Sequence, residues 1–530
     1  MLFQEKCVYL QFIKKNRIVK IYEKVMKSYR LLTLIFLNIV VQLAVCTTGF
    51  ADEVRHSKVG DKVKVDKALT LTLTTKHQNY NWGDKATLDG DICSPKSVKF
   101  HPDGRKYYVN SLEGGSTVVY DAATHKKLKV IIHRFTGKET GLWAERSGLF
   151  SFVKYLSNQD KFVGKPVEST FTHNGRYLWV TYYRRSYDIN AQEPSAVAII
   201  DTQCDSIVRM METGPLPKMI ATSADGRCVA VTHWGDNTVA LIDVSGAKPA
   251  DWHYVACIAI GQKLKMDFST TTHVNRDEVS GLKLRGTVFM PDGRHLLVSC
   301  MSGSGIAVID VERRKYVGMI YGQECNVRHM LIKNNYLYIS ANLPGKVQRI
   351  PLDSISRAVT GMSGRVTVKG WQTCQVYCGT RTISISPSGR YLFAACSHSS
   401  QLAIVDTKTM TRIGSTVIDS YPVGLDISPD GKTLITTSQG KRGGGGNSVN
   451  VFSVEYADYD AEIAGMDHVV AKEDKDTSEM VVCALPKKEE VEDRLDLPKI
   501  GMALAGGLIA LVTTIICIIR SRKRRKDNEE

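Results

Sequence analysis

Five basic side chains recur at one register of a repeating pattern. Lys96, Lys218, Arg285 and Arg381 each stand eight residues before a turn glycine, and Arg328 joins them if its repeat has lost one turn residue. When repeats surround an axis, side chains at one register point at a common volume. Cations gathered there without matched acids repel one another, which suits a carboxylate, a phosphate or an acidic side chain held between them. The alternative is that each cation donates to carbonyls of its own loops, and the sequence leaves both open. Val167 and Val423 hold the position in the other two repeats, and Glu168, one residue further on, offsets part of the charge.

The remaining candidates are thinner. His233 and His398 lie near the same end of the pattern; His233 joins the five cations as a candidate ligand-binding residue, although an isolated imidazole is more often satisfied by its own loop. Cys374 and Cys378 are spaced for a disulfide in an oxidising compartment, while Cys93, Cys325 and Cys378 each precede an innermost strand. There is no Cys-x-x-Cys-His and no closed zinc spacing. Gly443 to Gly446 lack the Lys-Ser/Thr of a phosphate loop, and no Gly-x-Ser-x-Gly elbow or paired carboxylates occur. The sequence therefore names no catalytic residue, no metal ligand and no cofactor.

These residues need strands to hold them. One pattern recurs: an apolar strand, a turn, an apolar strand, a polar loop, then a strand ending in Asp. The turns are Pro102–Arg105, Asn174–Arg176, Asp225–Arg227, Pro291–Arg294, Lys333–Asn335, Ser388–Arg390 and Pro429–Lys432. Asp-Gly and Asn-Gly between apolar runs are hairpin signals, because Gly and Asn accept positive φ. The closing aspartates, Asp121, Asp201, Asp243, Asp310, Asp353 and Asp406, are expected to cap the turns that follow them. Seven such repeats predict sheets arranged radially, each hiding its faces against its neighbours.

Two motifs carry a resemblance. Met290–Asp310, which begins Met-Pro-Asp-Gly-Arg-His-Leu-Leu-Val-Ser, and Ser386–Asp406 resemble the YVTN-type repeats of YncE-like β-propellers. The resemblance covers about residues 65–456. It implies a seven-bladed, all-β propeller and leaves function open, since such propellers host both binding proteins and enzymes. The fifth repeat departs most, with Asn334-Asn335 in place of Asp-Gly. Residues 68–455 are read as the propeller, with Ala68–Thr75 closing the ring as the outer strand of the last blade.

The ends give the compartment. Leu31 to Cys46 is an apolar run after Lys24, Lys27 and Arg30, followed by the small-x-small site Gly49–Ala51; residues 1–51 are read as a signal region, with Met26 an alternative start. Residues 52–67 form a lead into the propeller. Ile500 to Ile519 carry no charge and are long enough for one bilayer core, roughly 30 Å. That span, within 499–519, is followed by a basic tail at 520–530, a positive-inside signal rather than a nucleic-acid patch. Residues 456–498 carry an acidic excess and read as a flexible stalk.

Composition agrees. The chain has 530 residues, 43% of them hydrophobic, which excludes disorder as its main state. Thirteen cysteines are too sparse for a disulfide scaffold. Of the net charge of +16, the segment 31–454 holds +15, so the body itself favours anionic ligands, acidic proteins or anionic surfaces.

The long insertions, 133–165, 261–284 and 357–378, are expected on the face where the innermost strands begin, together with 183–195 and 440–447. The expectation is a membrane-anchored extracytoplasmic propeller that binds a ligand or protein through a cationic, insertion-rich face. An enzyme using the same mouth, lactonase- or quinoprotein-like, and a purely structural scaffold are the alternatives.

Overall fold

The hairpin turns set the repeat. Gly293 takes φ 67° and Asn335 58°, left-handed values that let the chain reverse between two apolar strands. In the computed structural model the described residues are 54–65, 67–79, 85–136, 141–150, 161–185, 194–265, 274–303, 305–440 and 446–470. The chain divides into two units, 1–472 and 473–530, and every described residue belongs to the first. The signal region, the apolar segment Ile500–Ile519 and the basic tail lie outside the described residues. Among those described, no helix is long and apolar enough to cross a membrane.

The strands form seven sheets, one per blade, antiparallel except where Gly364–Thr367 joins the edge of blade 4 in parallel. Blade 1 contains Pro95–Phe100, Lys106–Ser111, Ser116–Asp121 and Lys127–Ile132, from the axis outwards. The other innermost strands are Lys161–Thr172, Pro217–Thr222, Leu284–Phe289, Val327–Lys333, Thr380–Ile385 and Pro422–Ile427. Each packs on the next, and the seventh returns to the first. Blade 7 takes Leu69–Gln78 as an outer strand against Ser448–Tyr456, with Leu69 opposite Tyr456 and Gln78 opposite Ser448. Sealing the ring with both ends of the domain removes an exposed edge.

Because both faces of each blade are covered, the strands read as continuous apolar runs rather than alternating ones. Met290, Leu297, Val308, Val327, Leu337 and Ile350 form one cluster between blades 4 and 5. Trp179 and Trp252 stack at 5.3 Å in another, between blades 2 and 3. Nearer the axis, hydroxyls join the blades: Thr170 to Thr222 at 3.0 Å, Thr232 to Thr287 at 2.6 Å, and Thr382 to the Val423 carbonyl at 2.7 Å.

Several expectations need correction. The lead at 52–67 is not outside the propeller, since Lys62–Val65 adds a fifth strand to blade 7. The insertion 357–378 does not emerge on the face where the inner strands begin. It follows the third strand of blade 5, forms the helix Leu352–Val359 and the strand Gly364–Thr367 on the edge of blade 4, then returns as Gln372–Gln375. Asp353 consequently sits in that helix rather than closing a strand. Part of the 133–165 insertion likewise covers an edge, with Leu142 and Ala144 bonding to Met210 of blade 2. The acidic stretch begins as a helix, Tyr459–Val470, and the rest of the expected stalk, 471–498, lies outside the described residues. Its buried Glu462 accepts a bond from the Ser388 amide at 2.9 Å, holding it on the turn face of blade 6.

The other five closing aspartates do cap turns, accepting from the amides that follow them, and at three of them the turn arginine reaches back. Arg176–Asp201, Arg294–Asp310 and Arg390–Asp406 pair at 2.5, 2.8 and 2.6 Å. One repeating ion pair thus ties the turn to the end of the third strand.

Candidate functional site

Every innermost strand carries one extra residue at its start. In blade 1 Pro95 pairs with Ser111 and Ser97 with Asn110, so Lys96 has no opposite residue of its own. The same irregularity falls at Lys218, at Arg285-Gly286, at Arg328 and at Arg381-Thr382. Blade 2 has it at Val167-Glu168 and blade 7 at Val423. A bulge bends its strand and re-aims a side chain that the ladder would otherwise hold in plane. Prolines at 95, 166, 217 and 422 suit the position, having no N–H to give to the interrupted ladder. The inner strands approach so closely here that a Cβ on Gly424 would stand 2.9 Å from the Lys96 carbonyl.

The bulges bring four of the cations and one acid into electrostatic contact. Lys96 has Arg381, Arg285, Arg328 and Glu168 as charged neighbours, and Asp277 feels the charges of Lys96 and Arg285. Arg285, 6% exposed, donates to Glu168 Oε1 at 3.1 Å and to the Lys218 carbonyl at 3.1 Å. Arg381 donates to the Tyr421 hydroxyl at 3.1 Å. Arg328 lies 3.8 Å from the Met301 sulfur. Among the described residues, neither Lys96 nor Arg328 has an acid within ion-pair distance. Burial first, then the three guanidinium groups, pushes the Lys96 ammonium well below its ordinary value.

Lys218 is placed differently. It donates to Asp277 Oδ1 at 3.1 Å and lies 3.7 Å from the Tyr183 ring and 5.1 Å from Trp234. Its charge is answered by one carboxylate and two aromatic faces. No spacing in the sequence tied Asp277, Tyr183 and Trp234 to it.

His233 does not join the cations. It is fully buried inside blade 3, where Nε2 accepts from the Gly214 amide at 3.1 Å and Nδ1 lies 2.8 Å from the Thr238 hydroxyl. Thr213 Oγ1 completes the shell at 2.7 Å, and burial lowers its pKa to about 3. The ring is a neutral strut in the blade. Cys374 and Cys378 are not joined in a disulfide. Cys374 is turned into the core between blades 5 and 6, whereas Cys378 faces the Leu343 carbonyl at 3.5 Å and His398 Nδ1 at 3.7 Å.

Beyond the cations runs the channel, a cavity of about 760 Å³ whose wall includes Ser97, Lys99, Glu168, Thr287, His329 and Asp426. Asp426 accepts from the Phe100 amide at 2.9 Å and lies 3.9 Å from Lys99; burial nevertheless raises its carboxyl. Burial lowers His329 to about 3, and its Nδ1 has no hydrogen-bond partner. Sequence reasoning passed over His329, although it directly follows Arg328 in the bulge register. Among the described residues, no group of three or more His, Cys, Asp or Glu side chains is placed to hold a metal.

No family model matches the chain. Antigen Lp49 of Leptospira interrogans serogroup Icterohaemorrhagiae serovar copenhageni (strain Fiocruz L1-130) is 24% identical over 193 residues, 32% of this chain and 39% of that protein. The match therefore spans well under half of that relative. Among solved structures, Kuenenia stuttgartiensis hydrazine synthase aligns with TM-score 0.46 and 16% identity, over 71% of this chain and 99% of that one. The Cps50 (Swd1) β-propeller domain of Myceliophteria thermophila aligns with TM-score 0.47 and 13% identity, over 68% and 96%.

Proposed function

We propose that this chain is a membrane-anchored, extracytoplasmic propeller of the YVTN type that binds an anionic group, a carboxylate or phosphate, among Lys96, Arg285, Arg328 and Arg381. One observation carries the reading: four cations on equivalent bulges stand against two carboxylates, Glu168 and Asp277, which leaves an excess of positive charge. An anion placed there would meet strong attraction, because low-dielectric walls on every side limit screening. Arg supplies the two-pronged geometry that carboxylates and phosphates accept.

The test replaces Arg285 and Arg381 together by Gln, keeping bulk and polarity while removing two charges. Phosphate and small dicarboxylates are expected to raise the melting temperature of the parent and to leave the double variant unmoved. Loss of folding with an unchanged anion response would assign the arginines to structure. The membrane reading rests on the uncharged segment Ile500–Ile519 and the basic residues after it. An alkaline-phosphatase fusion after residue 460 is expected to be active and one after residue 525 inactive; the reverse pattern would overturn it.

A further inference from the structure

Of the thiols among the described residues, Cys378 alone has an imidazole in reach: its Sγ lies 3.7 Å from His398 Nδ1 and 3.5 Å from the Leu343 carbonyl. The thiol proton thus has two acceptors, and only the imidazole can keep it. The fold builds this pair. Cys378 precedes the innermost strand of blade 6 and His398 follows its second strand, so both loops end at the channel mouth. The Ser397 amide donates to the Gly379 carbonyl at 2.8 Å and the Ser399 hydroxyl to the Cys378 carbonyl at 3.3 Å, which fixes one loop on the other. Gly379 permits the approach: its φ is 83°, and a Cβ there would stand 2.4 Å from the His398 amide nitrogen. The same loops reach the cations. The His398 ring is 6.3 Å from that of Tyr421, whose hydroxyl accepts from Arg381 at 3.1 Å. Arg381 belongs to the cluster that sets four cations against Glu168 and Asp277. A thiol with a base therefore stands at the rim of a site with excess positive charge.

A cysteine beside a base that can take its proton is the arrangement of an activated sulfur nucleophile, since the thiolate is the form that attacks. The geometry points to Cys378 as a thiol nucleophile, with His398 its base, for a disulfide that carries carboxylates. This rests on the anion reading, since the cations draw the carboxylate end while sulfur meets sulfur. In the step, His398 Nδ1 takes the thiol proton and the Cys378 Sγ lone pair attacks one sulfur of the disulfide. The S–S bond breaks, its electron pair leaves with the second sulfur, and the departing thiolate recovers the proton. Protein thiol and small disulfide give a mixed disulfide and a small thiol. Cys378 is oxidised, the leaving half is reduced, and the disulfide is the only oxidant needed. Cys378 is thereby a site of reversible modification by a small thiol.

The test treats the detergent-solubilised full chain, reduced beforehand, with glutathione disulfide, which bears carboxylates, or with cystamine, which bears ammonium groups and no carboxylate. Peptide mass spectrometry then locates the mixed disulfides. Cys204 and Cys325 are the comparators, because both are exposed whereas Cys378 is half-buried. Glutathione disulfide is expected to modify Cys378 about tenfold or more faster than either comparator, as an assisting base allows. It should also outpace cystamine at Cys378, and inorganic phosphate should remove that preference. His398→Phe and His398→Asn, each checked by its melting temperature, should bring Cys378 down to the comparators' rate. Modification of Cys378 no faster than that of Cys204 and Cys325, or a rate unmoved by both histidine variants, would overturn the proposal. Uncharged iodoacetamide gives a reading that needs no variant: Cys378 should again outpace the comparators, and its failure to do so overturns the nucleophile. Two further outcomes separate the proposal from the reading beneath it. Phosphate stabilisation with no enrichment at Cys378 removes the nucleophile and keeps the anion site. Equal enrichment by glutathione disulfide and cystamine keeps the nucleophile and removes the anion site, which overturns the proposed ligand class.

Discussion

Two buried charge clusters lie in this propeller, and they are built in opposite ways. The first joins the chain ends: Asp419 accepts from Lys76 at 2.9 Å, from the Ser57 amide at 2.8 Å and from the Ser448 hydroxyl at 2.5 Å. Lys76 spends another proton on the Ser57 carbonyl at 2.8 Å. Each charge there has its opposite and its hydrogen bonds, and the cluster pins the lead, the closing strand and the loop between blades 6 and 7 together. The second cluster, around Lys96, gathers four cations against Glu168 and Asp277. A satisfied buried pair reports on folding, whereas a buried excess of one sign needs a reason beyond folding.

The largest expected effect tests the satisfied cluster. Asp419→Ala would strand the Lys76 ammonium, which is 5% exposed, in the interior. Removing one partner of a buried pair costs about 3–5 kcal/mol, so denaturant unfolding should show a loss of that size. A loss under about 1 kcal/mol would place the pair with weak surface ion pairs and erase the contrast.

Acid probes groups that are satisfied in one protonation state only. Burial holds His133 and His233 to about 3 and His77 to about 4. Unfolded, each would titrate near 6.5 and bind a proton that the folded form refuses, an approximate reference value. Their contribution to stability is therefore complete above about pH 6.5 and is lost as pH falls toward the folded values. The slope is about 1.4 kcal/mol per pH unit for each histidine. A melting temperature that does not fall between pH 6.5 and 4 would show these rings charged when folded.

The smallest effect separates the clusters most sharply. Arg328→Gln removes a cation that has no acidic partner, so unliganded stability should stay level or rise by about 1 kcal/mol. A loss as large as that from Asp419→Ala would show the cation cluster to be structural after all.

How much of this was legible can be judged residue by residue. Asp-Gly turns and apolar strands announced the seven blades, because hairpin chemistry is local and its period survives in the chain. The closing strand was legible too, as Leu69, Leu71 and Leu73 alternate with threonines and face one core. The eight-residue spacing found the five cations, since a bulge repeated in every blade preserves register. The course of 357–378 was not legible, because nothing local says which sheet edge a loop will cover. Cys374 and Cys378 are close along the chain, but strand direction sends the first thiol into the core and leaves the second at the loop.

By itself, then, the sequence determined the repeat, its turns and the common register of the cations, all consequences of short-range backbone preferences and periodic burial. Tertiary structure alone decided which charges are answered. Asp277 reaches Lys218 from an insertion, Glu168 of blade 2 reaches Arg285 of blade 4, and Lys96 bonds to neither. Electrostatic satisfaction depends on distances between segments remote in the chain, and those distances exist only once the ring has closed.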